Sequence, residues 1–575
     1  MKHDKYKWLG SALCLALMLV TVGCSQDDLT GGDGKTDGVK PTSYVTLSLA
    51  MPSSTGTRAA GGETGNGLEK GQSYENVIRS AVAFFYQGTG ANDTGNPNIL
   101  AAVSFTFPEN DGTDGTSPVD RIYTTQPQEV SLENGTYRVI VVANPGTDWW
   151  TGQNLKLNDV RNHIQEQAWT VGNDGNYSNF LMSLADERDG SAVIELNSNP
   201  QDDPAEATVY VERMAARVDY RDGRQGMTCT DPDYQGATVE IRGAALVNNL
   251  TKGSYLLKRV ADDVNGAGLV YLGDETLTNY VLDPWTSDVK PADHFGTPYA
   301  GRSQNPSWWN QHVKQPGTPL QGESAGWNLV GYTLENCPAT PSHDESHDDN
   351  TAVVFKAQFT PVGLPSYWTE GETFFAYGKS LFATMEDMMG WVYGADFANF
   401  ESKVNDCTTW NDLQEFVTTS LSIATIDPSG YRAHLERQLE LKTDLNVNIP
   451  NDVKQSLTWS GYMLNECGYS MSGDGHDVTL DQGNNIVTRE KLKNYGVRTY
   501  VNSMCYYTWW ILHNDDNNED VFGPMEYAVV RNNIYKLTVT SIYTLGGDIP
   551  EEDNGLELVV YVNDWRLLEP ENIDM

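Results

Sequence analysis

Residues 43–51, Ser43-Tyr44-Val45-Thr46-Leu47-Ser48-Leu49-Ala50-Met51, alternate without a break. Val45, Leu47, Leu49 and Met51 fall on one face, Tyr44, Thr46 and Ser48 on the other. This period of two marks a half-buried β-strand spanning residues 44–51. The small-residue loop that follows, residues 53–62, holds Arg58, the only arginine between Cys24 and Arg79. A lone basic residue in such a loop is a natural site for a trypsin-like protease, so the Arg58–Ala59 bond is a candidate cleavage point. An ordinary surface arginine is the alternative.

Upstream, Lys2, Lys5 and Lys7 precede an apolar run from Trp8 to Gly23, the pattern of a secretory signal rather than a spanning helix. The run ends in Thr21-Val22-Gly23-Cys24, which resembles a lipobox with Thr21 in place of the usual Leu. Residues 1–23 are then a signal peptide and Cys24 the acylated N-terminus of the exported chain. Ser25-Gln26-Asp27-Asp28 is similar to the acidic tag that directs some Bacteroidales lipoproteins to the outer surface. A plain secretory cleavage site is the alternative. Residues 25–42, rich in Gly, Asp and Thr, read as a flexible tether.

The whole chain has 575 residues and a net charge of −40, from 38 Lys+Arg against 78 Asp+Glu. Such an excess repels phosphate backbones and argues against a nucleic-acid partner. Hydrophobic residues make up 39%, as in a globular protein. Of the cysteines outside the signal and Cys24, Cys229, Cys337, Cys407, Cys467 and Cys505, no two sit at metal-ligand spacing and the number is odd. Neither a disulfide framework nor a metal site is indicated, and stability must come from core burial.

Downstream, short strand-like runs separated by Asn, Asp and Gly dominate, so the chain reads as mainly β. Val77–Tyr86 and Tyr137–Ala143 are strands, and Asn134-Gly135 is a hairpin-turn signal. Leu157, Val160, Ile164 and Ala168 recur at helical spacing and predict a short amphipathic helix. A second block of strands begins near Val209 and takes in residues 353–359, 500–512, 535–542 and 556–562. Between about 380 and 445 the pattern turns helical. Met385, Met388 and Met389 share one face, and Thr409-Trp410-Asn411-Asp412 resembles a capping box.

Several segments, in order, resemble the major subunits of Bacteroidales short fimbriae, the fimbrillin family. They are the lipobox; Ser43–Pro52 followed by Arg58-Ala59; Val211-Glu212-Arg213-Met214-Ala215-Ala216-Arg217-Val218; residues 529–542; and Leu556–Trp565 with a short tail to Met575. Residues 230–350 and 380–500 carry no such likeness. The resemblance implies two β-sandwich domains of transthyretin-like, Greek-key topology, residues 59–207 and 208–564, the second carrying the helical insertion. It further implies an outer-membrane lipoprotein precursor whose propeptide, residues 24–58, is removed by an arginine-specific surface protease. The product then joins a cell-surface fimbrium with accessory, anchor and tip subunits.

The resemblance also implies polymerisation by strand exchange, which is physically reasonable. Burying Val45, Leu47, Leu49 and Met51 contributes roughly 1.5–3 kcal/mol each, so loss of that strand opens a groove that demands a replacement. The candidate donor is the tail, residues 565–575, with Trp565, Leu567, Ile573 and Met575 on one side. Glu569 and Glu571 interrupt that side and Pro570 removes a ladder donor. Leu556, Leu558, Val560 and Val562 form a cleaner stripe that can also take part, and a last strand packed in its own domain is the alternative. Insertion of one tail into the next groove is head-to-tail contact and builds an open filament. A chain with both processing site and tail suits the stalk.

Other clusters carry less. The histidines of residues 343–349 lie in a loop set off by Pro338 and Pro341, and residues 513–520 lack the spacing and glycine of a calcium loop. Tyr506, Tyr507, Trp509 and Trp510 read as core on one face and interface on the other. Trp149-Trp150 and Trp308-Trp309 are candidate exposed adhesive contacts. No Gly-x-Ser-x-Gly or phosphate-cradling loop is present, and no cofactor or enzymatic activity is expected. The competing readings are a surface glycan-binding lipoprotein of a nutrient-uptake system, a mainly helical class, and a secreted glycosidase.

Overall fold

A computed structural model describes residues 41–50, 68–108, 122–173, 175–185, 192–222, 226–276, 278–288, 290–299, 318–337, 349–393, 400–419, 430–459, 461–462, 469–471, 478–480, 496–513, 525–550 and 556–566. The alternating leader forms β1 (Thr42–Ala50), and β2 (Leu68–Lys70) follows. Next come β3 (Ser80–Tyr86), β4 (Ile99–Thr106), β5 (Tyr123–Thr124), β6 (Gln128–Ser131) and β7 (Gly135–Ala143). β8 (Met182–Leu184), β9 (Val193–Leu196) and β10 (Ala205–Arg213) complete a nine-stranded sheet, of which β2 is not a member. Its order is β4-β3-β7-β8-β10-β1-β5, with β9 on β7 and β6 on β1. β3 and β7 lie inside the sheet and are apolar on both faces, as strands covered on both sides must be.

The remaining long strands are β11 (Ala216–Asp222), β12 (Thr238–Val247), β13 (Asn328–Thr333), β14 (Ala352–Thr360), β15 (Phe374–Tyr377), β16 (Val497–Tyr500), β17 (Met504–Trp510), β18 (Asn533–Ile542) and β19 (Leu556–Arg566). One sheet runs β2-β19-β18-β11-β13 and ends on Thr318–Pro319; another runs from Met227–Thr228 through β12 and β14 to β17. Val218 and Tyr220 of β11 and Leu537 and Val539 of β18 share one core with Phe355 and Phe359 of β14 and Tyr507 of β17. Chains that bury one face of each sheet against the other behave this way.

Helices α2 (Met385–Tyr393), α3 (Phe400–Asp406), α4 (Trp410–Thr419), α5 (Tyr431–Glu440) and α6 (Asn451–Leu457) fall between β15 and β16; α1 (Leu157–Arg161) precedes β8. Helices α2 to α6 pack their own core, including Met388, Trp410, Leu413, Phe416 and Leu435, against Phe375 and Val497 of the flanking strands. At the start of α4 the Thr408 and Thr409 N–H groups donate to the Asp412 carboxylate at 2.8 Å, and the Asp412 N–H donates to the Thr409 hydroxyl. The capping box is formed as the sequence indicated.

Four local expectations are corrected. The helix read over residues 157–168 stops at Arg161, because Ile164–Gln165 pairs instead with Ser254–Tyr255. Asn134-Gly135 does not close a hairpin: β6 pairs with β1, whereas β7 pairs with β3, β8 and β9. Gly135 still needs its freedom, at φ +155°. Trp149-Trp150 is no adhesive surface, since Trp150 is buried and Trp149 is stacked between Phe84 and His163. Tyr506, Tyr507 and Trp510 are likewise buried, so both faces of β17 are covered.

The leader-strand slot and the charged junction

β1 lies inside its sheet, not at an edge. On one side it runs parallel to β10, from Val45 opposite Ala205 to Ala50 opposite Tyr210. On the other it is antiparallel to β6 over Thr42–Val45 and to β5 over Ser48–Leu49. Val45, Leu47 and Leu49 are fully buried, in one core with Val130, Tyr123 and Val209. Ser43 closes the slot's far end: its hydroxyl accepts from the Asn199 N–H at 3.2 Å, and the Tyr44 N–H donates to the Asn199 carbonyl at 2.9 Å. The three apolar side chains account for about 5–9 kcal/mol of burial at roughly 1.5–3 kcal/mol each.

Met51, Arg58, Ala59 and Cys24 lie outside the described residues, as do Leu567, Ile573, Met575, Trp308-Trp309 and residues 343–348. Trp565 is described through its backbone, in β19 opposite Glu69 of β2. β19 is seated antiparallel on β18 along most of its length, from Ile542 opposite Leu556 to Asn533 opposite Asp564. The stripe from Leu556 to Val562 is therefore in its own sheet in this state.

The segment that follows the candidate cleavage point, Leu68–Asn76, is held by a buried charge cluster. Arg217 of β11, fully buried, donates to Glu69 at 2.9 Å, to Glu75 at 3.0 Å and to Asp219 at 2.9 Å. Lys536 and Ser324 also bind the Glu69 carboxylate, and Tyr332 donates its hydroxyl to Glu75. Arg213, at the end of β10, donates to the Glu75 carbonyl at 3.1 Å and to Asn76. Burial alone would raise the Glu69 carboxyl; the charges of Lys536 and Arg217 outweigh it and hold it below the ordinary range. Burial likewise works against the Arg217 guanidinium, but Asp219, Glu75 and Glu69 keep it charged.

A second tie lies beside the first. Arg531 pairs with Glu335 at 2.6 Å and donates to Ser183 of β8 and to the carbonyls of Tyr255 and Leu256. His513, which the sequence left as an unpromising metal candidate, is buried with its Nδ1 2.8 Å from the Tyr535 hydroxyl. Among the described residues no group of metal-ligating side chains is large enough to hold an ion. Cys229, Cys337, Cys407 and Cys505 are buried free thiols.

Sequence reasoning singled out the segments 211–218 and 529–539 without assigning their charges a task. Arg213, Arg217, Arg531 and Lys536 are the basic residues of those segments, all four are buried, and Arg213 and Arg217, bracketing the apolar Met214-Ala215-Ala216, were the available signal. Glu69 and Glu75 gave none, because their partners are remote in sequence.

Residues 498–570 match the family described as "Major fimbrial subunit protein type IV, Fimbrillin, C-terminal". No curated protein matches the chain. Among solved structures, a protein of Parabacteroides distasonis described as a cell adhesion protein is 10% identical with a TM-score of 0.39, over 91% of this chain and 100% of that one. A fimbrilin from Porphyromonas gingivalis W83 is 12% identical with a TM-score of 0.32, over 92% and 99%. The tip fimbrial protein Mfa3 of Porphyromonas gingivalis is 10% identical with a TM-score of 0.31, over 91% and 100%. The family match runs from Arg498 of β16 through β19, so this C-terminal part of the chain is similar to the C-terminal part of fimbrillins.

Proposed function

We propose that this chain is the precursor of a fimbrial stalk subunit that polymerises by protease-triggered strand exchange. The observation that carries the reading is the position of β1. It fills an internal slot, is hydrogen-bonded on both edges, and is joined to the rest of the chain through residues 51–67, which include Arg58. Cutting at Arg58 turns β1 into a separate peptide without touching the strands that line the slot. Its departure leaves two open strand edges and an apolar trough, and β-strand addition satisfies both. The clamp on Leu68–Asn76 keeps the new N-terminal segment in place, so the cut releases the leader alone.

The neighbour's C-terminal end supplies the replacement, through the tail set Trp565, Leu567, Ile573 and Met575. In a slot with consecutive inward apolar positions, Glu569 and Glu571 are poor occupants, which gives the Leu556–Val562 stripe a share if β19 leaves its sheet. On this reading Cys24 carries lipid that holds the precursor at the outer membrane until processing. The same reading takes residues 59–207 and 208–564 as two domains, with β10 (Ala205–Arg213) leading from one to the other, and the partners as further copies, tip and anchor subunits. The test is purified precursor mixed with an arginine-specific protease. An N-terminus at Ala59 and a ladder of oligomers are expected, with Arg58→Ala uncut and monomeric and a chain lacking residues 566–575 cut but monomeric. Ladders from uncut Arg58→Ala protein would overturn the mechanism.

A further inference from the structure

The strand flanking β1 on its antiparallel side is broken where it passes Leu47. Val45 stands opposite Gln128 and Ser48 opposite Thr124, so Thr125, Gln126 and Pro127 face only Thr46 and Leu47. The extra residue makes a β-bulge, and Pro127 has no N–H to give. Gln126 turns its N–H away, to the Thr106 carbonyl at 2.9 Å. The backbone of Leu47 is nonetheless satisfied twice by one residue. The Thr125 N–H donates to the Leu47 carbonyl at 2.9 Å, and the Leu47 N–H donates to the Thr125 hydroxyl at 2.9 Å. Thr125 is itself buried, at 4% exposure, so water is no substitute partner.

We propose that Thr125 is the register pin of the slot, a residue that reads the backbone of whichever strand lies there. This rests on the strand-exchange reading. Both Thr125 contacts are to main chain, so they transfer unchanged from the leader to any incoming strand that presents an N–H and a carbonyl at the Leu47 position. A strand shifted by one residue turns its apolar set out of the trough. A strand that slides by one residue with its apolar set still inward instead offers Thr125 groups aimed at β10, leaving a buried hydroxyl and a buried N–H unmatched. The pin therefore rejects such slides and excludes proline from the central position. Thr124 places its hydroxyl 3.4 Å from that of Ser48, a contact to a side chain that changes with the incoming strand.

The experiment follows release of the leader from full-length precursor after cleavage at Arg58, together with the oligomer ladder. Thr125→Val keeps the shape and removes the hydroxyl, and should speed leader release by about tenfold. Thr125→Ser should restore the wild-type rate, and Thr124→Val should leave it unchanged. Rescue by serine separates the hydrogen bond from packing and covers a valine variant that folds poorly. A synthetic leader peptide, residues 41–51, should rebind the cut wild type about tenfold better than its N-methyl-Leu47 form. Thr125→Val protein should show no such preference. Equal release from wild type and Thr125→Val, or a serine variant no better than valine, overturns the role of Thr125 alone. A leader that stays bound in every protein overturns strand exchange and this inference with it.

Discussion

Arg217→Met should loosen the whole junction. The guanidinium is fully buried and meets three carboxylates, Glu69 at 2.9 Å, Glu75 at 3.0 Å and Asp219 at 2.9 Å. Methionine fills much of the volume but leaves Glu75 and Asp219 without this cation, while Glu69 keeps Lys536. Removing one partner of a buried ion pair costs about 3–5 kcal/mol, because the remaining charge stays desolvated. Against a domain stability of about 5–15 kcal/mol, that is a large fraction. The control is Arg242→Met. Arg242 and Glu240 lie 2.7 Å apart with their side chains partly exposed, at 36% and 56%, where such a pair contributes about 0–1 kcal/mol. Denaturant unfolding followed by tryptophan fluorescence should show a far lower midpoint for Arg217→Met than for Arg242→Met. In a chain of several sheets the midpoint shift is the quantity to compare, since one unfolding free energy is not defined for it. Equal midpoints for the two variants would refute the claim that the cluster holds the junction.

Leu47→Ala should destabilise the precursor by about 2–5 kcal/mol and speed leader release after cleavage, yet leave finished oligomers as stable as wild type, because Leu47 departs with the leader; thermal melts of precursor and oligomer separate the two. Glu69 has a folded-state carboxyl held below its ordinary 4.5, so its stabilisation is full above about pH 4.5 and is lost as pH falls through the folded value. The difference between wild type and Glu69→Gln in denaturant midpoint should therefore shrink on acidification below that pH, and a difference that grows would contradict the assignment. Burial pushes the Cys505 thiol up to about 12, so a thiol reagent should leave it unmodified in the native chain at neutral pH and modify it after unfolding, as read by mass spectrometry.

The leader was legible because it is half-buried: alternation survives in sequence wherever a strand keeps one face toward a core, as Val45, Leu47 and Leu49 do. The cap of α4 was legible for a similar reason, since Thr409 and Asp412 satisfy local backbone donors. Ile164 and Ala168 continued the helical spacing of Leu157 and Val160, but pairing of Ile164 with Tyr255 overrode that local pattern. Asn134-Gly135 signalled a turn correctly in its backbone freedom and misled only about which strands it joins. The junction could not be read from local pattern, because Glu69 meets Arg217 and Lys536 only through the folded sheets. Thr125 was equally silent; only Pro127 hinted that the ladder breaks there.

The central claim, that β1 holds a slot which a second strand later fills, is tested most directly by hydrogen exchange at those amides of Ala205–Tyr210 and Gln128–Ser131, the strands that flank β1, whose N–H groups face it. These amides should be protected in the precursor, exposed in cleaved protein lacking residues 566–575, and protected again in oligomers of the cleaved full-length chain. Amides that stay protected after the leader has gone, or stay exposed in the oligomer, would contradict the account.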